Sequence, residues 1–175
     1  AQHMEMARDI AGKFNHTYSK IFNLPEALIQ NEISVPGIDG RKMSKSYNNI
    51  IPFLCSEKDL QKAVSKIVTN SLEPGEPKDC NNCNLYELYS LFGNIEQIAS
   101  FKQAYSDGIS WGDAKKELFT VINNEIVPIR EKYFELNAQP DLLNDLFADG
   151  ARKVRPQAQE LIEKLRDLVG ISKIV

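Results

Sequence analysis

Scarcity is the first information in this chain. Only two histidines, three cysteines and one tryptophan occur in 175 residues, and no residue type is repeated in a tract. An odd, small cysteine count excludes a disulfide scaffold and fits reduced thiols, which points to the cytoplasm. Cys80-Asn-Asn-Cys83 has the spacing of half a metal site, but a closed site usually wants four ligands, and Cys55, His3 and His16 lie far off in sequence. No apolar run approaches the roughly 18 residues of a membrane span, and no stretch has the form of a secretory signal. An excess of basic charge is missing too. With 21 Lys and Arg against 24 Asp and Glu the net charge is -3, so overall charge favours neither DNA nor any other nucleic acid. A tRNA would have to be held by local patches.

What remains is ordinary for a globular protein with a core: 42% hydrophobic and 26% charged residues. Helical spacing dominates the pattern. Residues 3 to 19 predict a helix through Met6, Ile10 and Phe14. Ile21-Phe22 and Ile33-x-Val35 predict short extended pieces around Pro25. From Ser56, a candidate cap, Leu60, Val64 and Ile67 share a face, followed by a short extended piece at 67 to 69 and a loop at Glu73-Pro-Gly-Glu-Pro-Lys78. Leu85, Leu88, Tyr89 and Phe92 predict the next helix, and Ile95, Ile98 and Phe101 another.

Ser110-Trp-Gly-Asp113 resembles a capping box before a long apolar face from Leu118 to Tyr133, with Pro128 expected to kink it near residue 124. A last helical region from Leu142 to Leu168 is expected to be interrupted at Pro156 and ended by Gly170. The tyrosines and Trp111 at these spacings read as core.

Between Pro36-Gly37 and Asn49 lies the most informative stretch, Gly40-Arg-Lys-Met-Ser-Lys-Ser-Tyr47. Lys42 and Lys45 are mobile point charges, and Ser44 and Ser46 add short donors, so the loop can follow an oxygen-rich anion whose charge changes. A departing polyphosphate is such an anion. A chance match to five chosen residues is roughly one in a million per position.

Lys42-Met-Ser-Lys-Ser46 resembles the signature pentapeptide of class I aminoacyl-tRNA synthetases, and Val35 to Pro52 resembles the corresponding loop of bacterial tryptophanyl-tRNA synthetases. Gln2 to Asp9, Cys83 to Phe92, Trp111 to Lys115 and Pro128 to Tyr133 match that family's helices in order. The resemblance implies a mainly α fold. A helical bundle of about five helices follows the C-terminal remnant of a Rossmann-like α/β nucleotide-binding domain. The implied division is 1–54 for the catalytic part and 55–175 for a helical tRNA anticodon-binding part. The chain opens Ala1-Gln2-His3 without an initiator methionine and has no His-x-Gly-His motif. The expectation is therefore the C-terminal portion of a longer enzyme, inactive alone.

The resemblance implies ATP as substrate, Mg²⁺ arriving with it and no dedicated metal site. Tryptophan and tRNA(Trp) are the implied partners, and the whole enzyme is expected to be a homodimer. Lys45 and then Lys42 are the implied catalytic residues. Ser44 and Ser46 would bond phosphate or hold the loop, while Met43 and Ile33 would lie by the adenine. Gln2 and His3 follow the family's tryptophan-site motif. Lys115-Lys116, Arg130-Lys132 and Arg152-Lys153-Arg155 are candidate tRNA phosphate contacts. Tyrosyl-tRNA synthetase shares the architecture but usually departs from this pentapeptide. The rival class is a non-catalytic tRNA- or protein-binding module derived from a synthetase. A phosphate-handling loop argues for the enzyme, since a binding module has no use for one.

Overall fold

A computed structural model describes residues 2–28, 34–81 and 83–171. They fall into two compact units, one of residues 33–138 and one joining 1–32 to 139–175. Six α-helices carry the fold among the described residues: α1 Gln2–Thr17, α2 Glu57–Ser65, α3 Asn84–Phe92, α4 Ile95–Ser106, α5 Trp111–Asn137 and α6 Pro140–Val169. The mainly helical class is borne out. No described helix is long and apolar enough to cross a membrane.

Residues 33–138 are organised on α5. Its buried stripe Ala114, Leu118, Val121, Ile122 and Ile126 receives Leu60 and Val64 from α2 and Leu85, Leu88 and Tyr89 from α3. An aromatic knot closes the far end. Tyr105 of α4 is wholly buried and meets Phe101 at 4.9 Å, Tyr86 at 5.6 Å and Trp111 at 5.8 Å between ring centroids. Its hydroxyl finds Cys83 Sγ at 3.6 Å, and burial pushes its pKa up. Tyr86, Tyr89, Tyr105 and Trp111 belong to the core, as their spacing implied, whereas Tyr133 is 40% exposed. Lys78, buried beside the Trp111 face, donates through Nζ to the Glu73 and Glu76 carbonyls, which staples the Pro-Gly loop shut. Gly108 has φ +83°, and its backbone lies so close to Gly75 that a β-carbon would overlap it.

Local capping follows the sequence closely. Ser56 Oγ accepts from Asp59 N at 3.2 Å and Ser110 Oγ from Asp113 N at 3.0 Å. In the second case the Asp113 carboxylate accepts from the serine hydroxyl, at 2.7 Å, instead of from the Ser110 backbone. The reciprocal box forms at a site that went unread: Asn94 and Gln97 each accept the other's backbone N–H at 2.8 Å, opening α4.

Three local expectations need correction. The extended pieces at 21–22 and 67–69 are irregular, not strands, and Ile33 lies outside the described residues. A strand needs a ladder partner. Asn15 instead takes both partners of the first piece, accepting from Ile21 N and Phe22 N and donating to the Phe22 carbonyl. Val68 N donates to the Ile38 carbonyl at 2.8 Å, one bond to a loop. The only pairing among the described residues is an antiparallel bridge between Pro36 and Lys42.

Finally, α6 runs through Pro156 without interruption, and Gly150 lies inside it. The carbonyl that Pro156 leaves without an intrahelical donor is that of Arg152, in an exposed stretch where water can serve it. Helix α5 continues through Pro128, where a kink and not a stop was expected. Gly170, at φ +75°, ends α6 as expected.

The core stripe yields a direct test. Leu118 is fully buried, so Leu118→Ala is expected to cost about 2–5 kcal/mol in denaturant unfolding. Val154, 61% exposed on α6, is expected to change stability by no more than about 0.5 kcal/mol on replacement by alanine.

Candidate functional site: a buried amide under a basic loop

The signature loop is built on a turn. Gly40 N donates to the Gly37 carbonyl at 3.0 Å with Gly40 at φ +83°, and Gly37 N donates to the Arg41 carbonyl at 2.7 Å. Met43 N returns to the Val35 carbonyl at 2.8 Å. Val35, Ile38, Met43 and Ile51 then press their side chains onto the core, so the base of the loop is seated on the helices. Its tip is different. Ser44 caps a single 3₁₀ turn, Lys45–Tyr47, closed by Asn48 in the left-handed region at φ 51°. Such a short turn has few bonds to break, and all of Lys45 to Asn48 is exposed.

Charge on the loop is divided into held and free parts. Arg41 is held: its Nε and Nη2 each reach Asp39 Oδ2 at 2.7 Å, and its guanidinium lies 4.7 Å from the centre of the Tyr47 ring. Lys42 and Lys45 are exposed, and neither makes an ion pair with a described residue. Ser44 Oγ and Ser46 Oγ share a hydrogen bond at 2.7 Å, which sets two hydroxyls side by side, one on each side of Lys45 in the sequence. Two ammonium groups without an ion pair to a described residue, on one loop with two bonded hydroxyls, are suited to a multiply charged oxyanion.

The structure thus brings Lys42, Ser44, Lys45 and Ser46 together on one loop, with Met43 half-buried against the core. Ile33 falls outside the described residues. Gln2 and His3 occupy the exposed first turn of α1. Among the basic pairs, Arg130 is corrected outright. It is 7% exposed, donates to Asn123 Oδ1 at 2.8 Å and to the Cys55 carbonyl at 3.4 Å, and so cannot present a charge to a phosphate. Lys115 donates to the Ser65 carbonyl, and Lys116 pairs with Asp113. Arg152 and Lys153 lie mid-helix and share Asp149, while Arg155 and Arg166 line a shallow hollow of about 370 Å³ on α6. The Cys80 thiol is half-buried, and burial pushes its pKa up.

Sequence reasoning missed Asn49. It is 1% exposed, and its side chain is the hub of the loop. Oδ1 accepts from Ser44 N at 2.8 Å; Nδ2 donates to Asp39 Oδ1 at 2.7 Å and to the Lys42 carbonyl at 3.2 Å. The Asn49 amide, ahead of Arg41, holds the Asp39 carboxyl below its usual range. Gly37 forms the wall of this niche, where any β-carbon would overlap the Asn49 amide. The one available signal was the glycine at 37 facing an asparagine twelve residues on, which no local pattern links.

A protein-family model described as "tRNA synthetases class I (W and Y)" matches residues 1–126. A tryptophan–tRNA ligase of Neisseria meningitidis is 48% identical over 171 residues, covering 97% of this chain and 51% of that protein. One from Pseudomonas aeruginosa is 45% identical over 177 residues, covering 99% of this chain and 40% of that protein. A crystal structure of tryptophanyl-tRNA synthetase from Campylobacter jejuni, complexed with ADP and tryptophan, superposes with a TM-score of 0.85 at 41% identity. It covers 97% of this chain and 54% of its own. The chain thus spans about half the length of the relatives it matches.

The lowered Asp39 pKa carries a sign. A carboxyl depressed in the folded loop contributes order that is present above its ordinary value of 3.8 and lost as pH falls through the depressed one. The Asp39 carboxyl carbon, followed by NMR, is expected to titrate below 3.8, and Asn49→Ala is expected to move its midpoint upward.

Proposed function

The chain belongs to the class I tRNA synthetases for tryptophan and tyrosine, and from that premise we propose that it is the part of a tryptophan–tRNA ligase that meets ATP's phosphates and the tRNA. The relatives' names favour tryptophan over tyrosine. In the reaction proposed, the tryptophan carboxylate attacks the α-phosphorus of ATP. The bond from that phosphorus to the bridging oxygen breaks, and pyrophosphate leaves with the electron pair. Tryptophanyl-adenylate then gives its aminoacyl group to tRNA(Trp).

What this chain contributes is charge placed where charge develops. Lys45, at the start of the exposed 3₁₀ turn, meets the leaving pyrophosphate, and Lys42 supports it from its bridge to Pro36. The hydroxyls of Ser44 and Ser46 bond phosphate oxygens, and Met43 and Ile33 lie beside the adenine. Such contacts accelerate the step only if they are stronger in the transition state than with bound ATP. An exposed turn with few bonds can close on the phosphates as their charge grows. Mg²⁺ would arrive with ATP, held by the nucleotide's own phosphates. Residues 1–54 serve the nucleotide and 55–175 the tRNA, with the remaining catalytic groups supplied by sequence that the relatives carry beyond the shared half. The reading extends to a cytoplasmic homodimer.

One observation carries this reading: two exposed lysines, without an ion pair to a described residue, share with a bonded pair of serine hydroxyls a loop whose base is fixed. A non-catalytic binding module explains the helices but not that arrangement. In the protein at its full length, Lys45→Ala is expected to slow tryptophan-dependent ATP–pyrophosphate exchange about 10²–10³-fold, with the KM for tryptophan nearly intact. An unchanged exchange rate would remove Lys45 from the reaction and leave the binding module standing.

A further inference from the structure

We propose that Asn49 is the positioning residue of the signature loop and that Asp39 is its working partner. The inference rests on the nucleotide reading of that loop. Asn49 touches backbone on both sides of Met43: its Nδ2 donates to the Lys42 carbonyl, and its Oδ1 accepts the Ser44 N–H. One rigid, planar group therefore sets the direction in which the chain leaves Lys42 and enters Lys45. Pinning these two points fixes where both ammonium groups start while leaving their side chains free to follow an anion.

The amide is required by its chemistry. At this length only asparagine offers an acceptor and two donors in one plane. An aspartate could still accept from Ser44, but it would lose its donors and set a second carboxylate against Asp39, 2.7 Å away. Glutamine adds a methylene to a niche already walled by the Gly37 backbone. Asp39 completes the device. It anchors Asn49 from one oxygen and, through both oxygens, the Arg41 backbone N–H and guanidinium, and that guanidinium reaches the Tyr47 ring at the tip. Base and tip are thus joined by a chain of polar contacts, buried at Asn49 and exposed at Arg41. The buried end is stiff and the exposed end yields, so the register of the lysines survives while the turn moves.

Neither residue needs to touch the nucleotide, so both act through the loop. A misplacement of this kind, about 1 Å, can cost 10²-fold in rate. The test uses Asn49→Ala, Asp39→Ala and the exchanged pair Asp39→Asn with Asn49→Asp, each in the protein at its full length. Amide hydrogen exchange at Ser44 is read against amides of α5, alongside ATP–pyrophosphate exchange.

Both alanine variants are expected to speed Ser44 exchange by about tenfold or more with α5 protection unchanged. They are expected to lower kcat by about 10–100-fold with the KM for tryptophan unmoved. The exchanged pair restores a donor at 39 and keeps an acceptor for the Ser44 N–H at 49, but it leaves the Lys42 carbonyl without its donor, so it is expected to recover part of the Ser44 protection and little of kcat. Slow Ser44 exchange in a folded Asn49→Ala, or an exchanged pair with the wild-type kcat, would overturn the proposal. If Asn49→Ala also loses α5 protection, Asp39→Ala decides, because that side chain is partly exposed and its removal opens no core cavity. Lys45→Ala in the same assay separates the two ideas. Full activity there sinks the nucleotide reading, whereas loss there with wild-type rates for Asn49→Ala sinks only the positioning role.

Discussion

The stripe of α5 from Ala114 to Ile126 is the surface against which the rest of residues 33–138 is arranged. Helices α2 and α3 bury their apolar faces on it, and Tyr105 closes its far end with Trp111, Phe101 and Tyr86. Interiors of this density transmit position with little slack. The loop that carries the lysines is seated on the same cluster through Val35, Ile38, Met43 and Ile51. A helix with no catalytic atom of its own thereby decides where the basic loop begins.

Order falls off in steps from that surface. Side chains at the base of the loop are packed; Asn49 is buried but polar; Asp39 is partly exposed; Arg41, Lys42, Lys45 and Tyr47 are exposed. Each step exchanges hydrophobic burial for hydrogen bonds that compete with water, so each is easier to break than the last. The gradient suits a group that must arrive in register yet move with its ligand. The same logic separates the lysines of the loop from the other basic residues. Arg130 has spent its guanidinium on Asn123 and Cys55, and Lys116, Arg152 and Lys153 are paired on helix surfaces, where ion pairs are weak and easily exchanged.

Helix α6 stands apart in character. None of its residues is buried, and Leu146, Phe147, Val154 and Ile162 are exposed along it. Thirty residues with an apolar face and good helix formers can hold α-helical geometry through an internal proline, provided that the carbonyl left free faces water. This is why Pro156 breaks no helix here, although its place in the sequence reads as a boundary. Pro128 in α5 obeys the same rule on a helix whose other face is core, with the freed Asn124 carbonyl on an exposed residue.

Local chemistry was legible in residue order: the serine caps of α2 and α5, the glycine stop of α6, the helical faces, and the lysine–serine loop with the reaction class it resembles. Each depends on neighbours three or four positions apart, a distance that sequence displays directly. Strands were misjudged because pairing needs a second segment, and here side chains of Asn15 and the loop itself took the available hydrogen bonds. Arg130 was misjudged because burial comes from Cys55, 75 residues away. Asn49 stayed invisible for the same reason: its value lies in meeting Asp39, Lys42 and Ser44 at once, with Gly37 leaving the space. Residue order determined what kind of group the loop carries; only the folded chain decided what holds it, because a hydrogen bond across a turn depends on direction and distance that no spacing encodes.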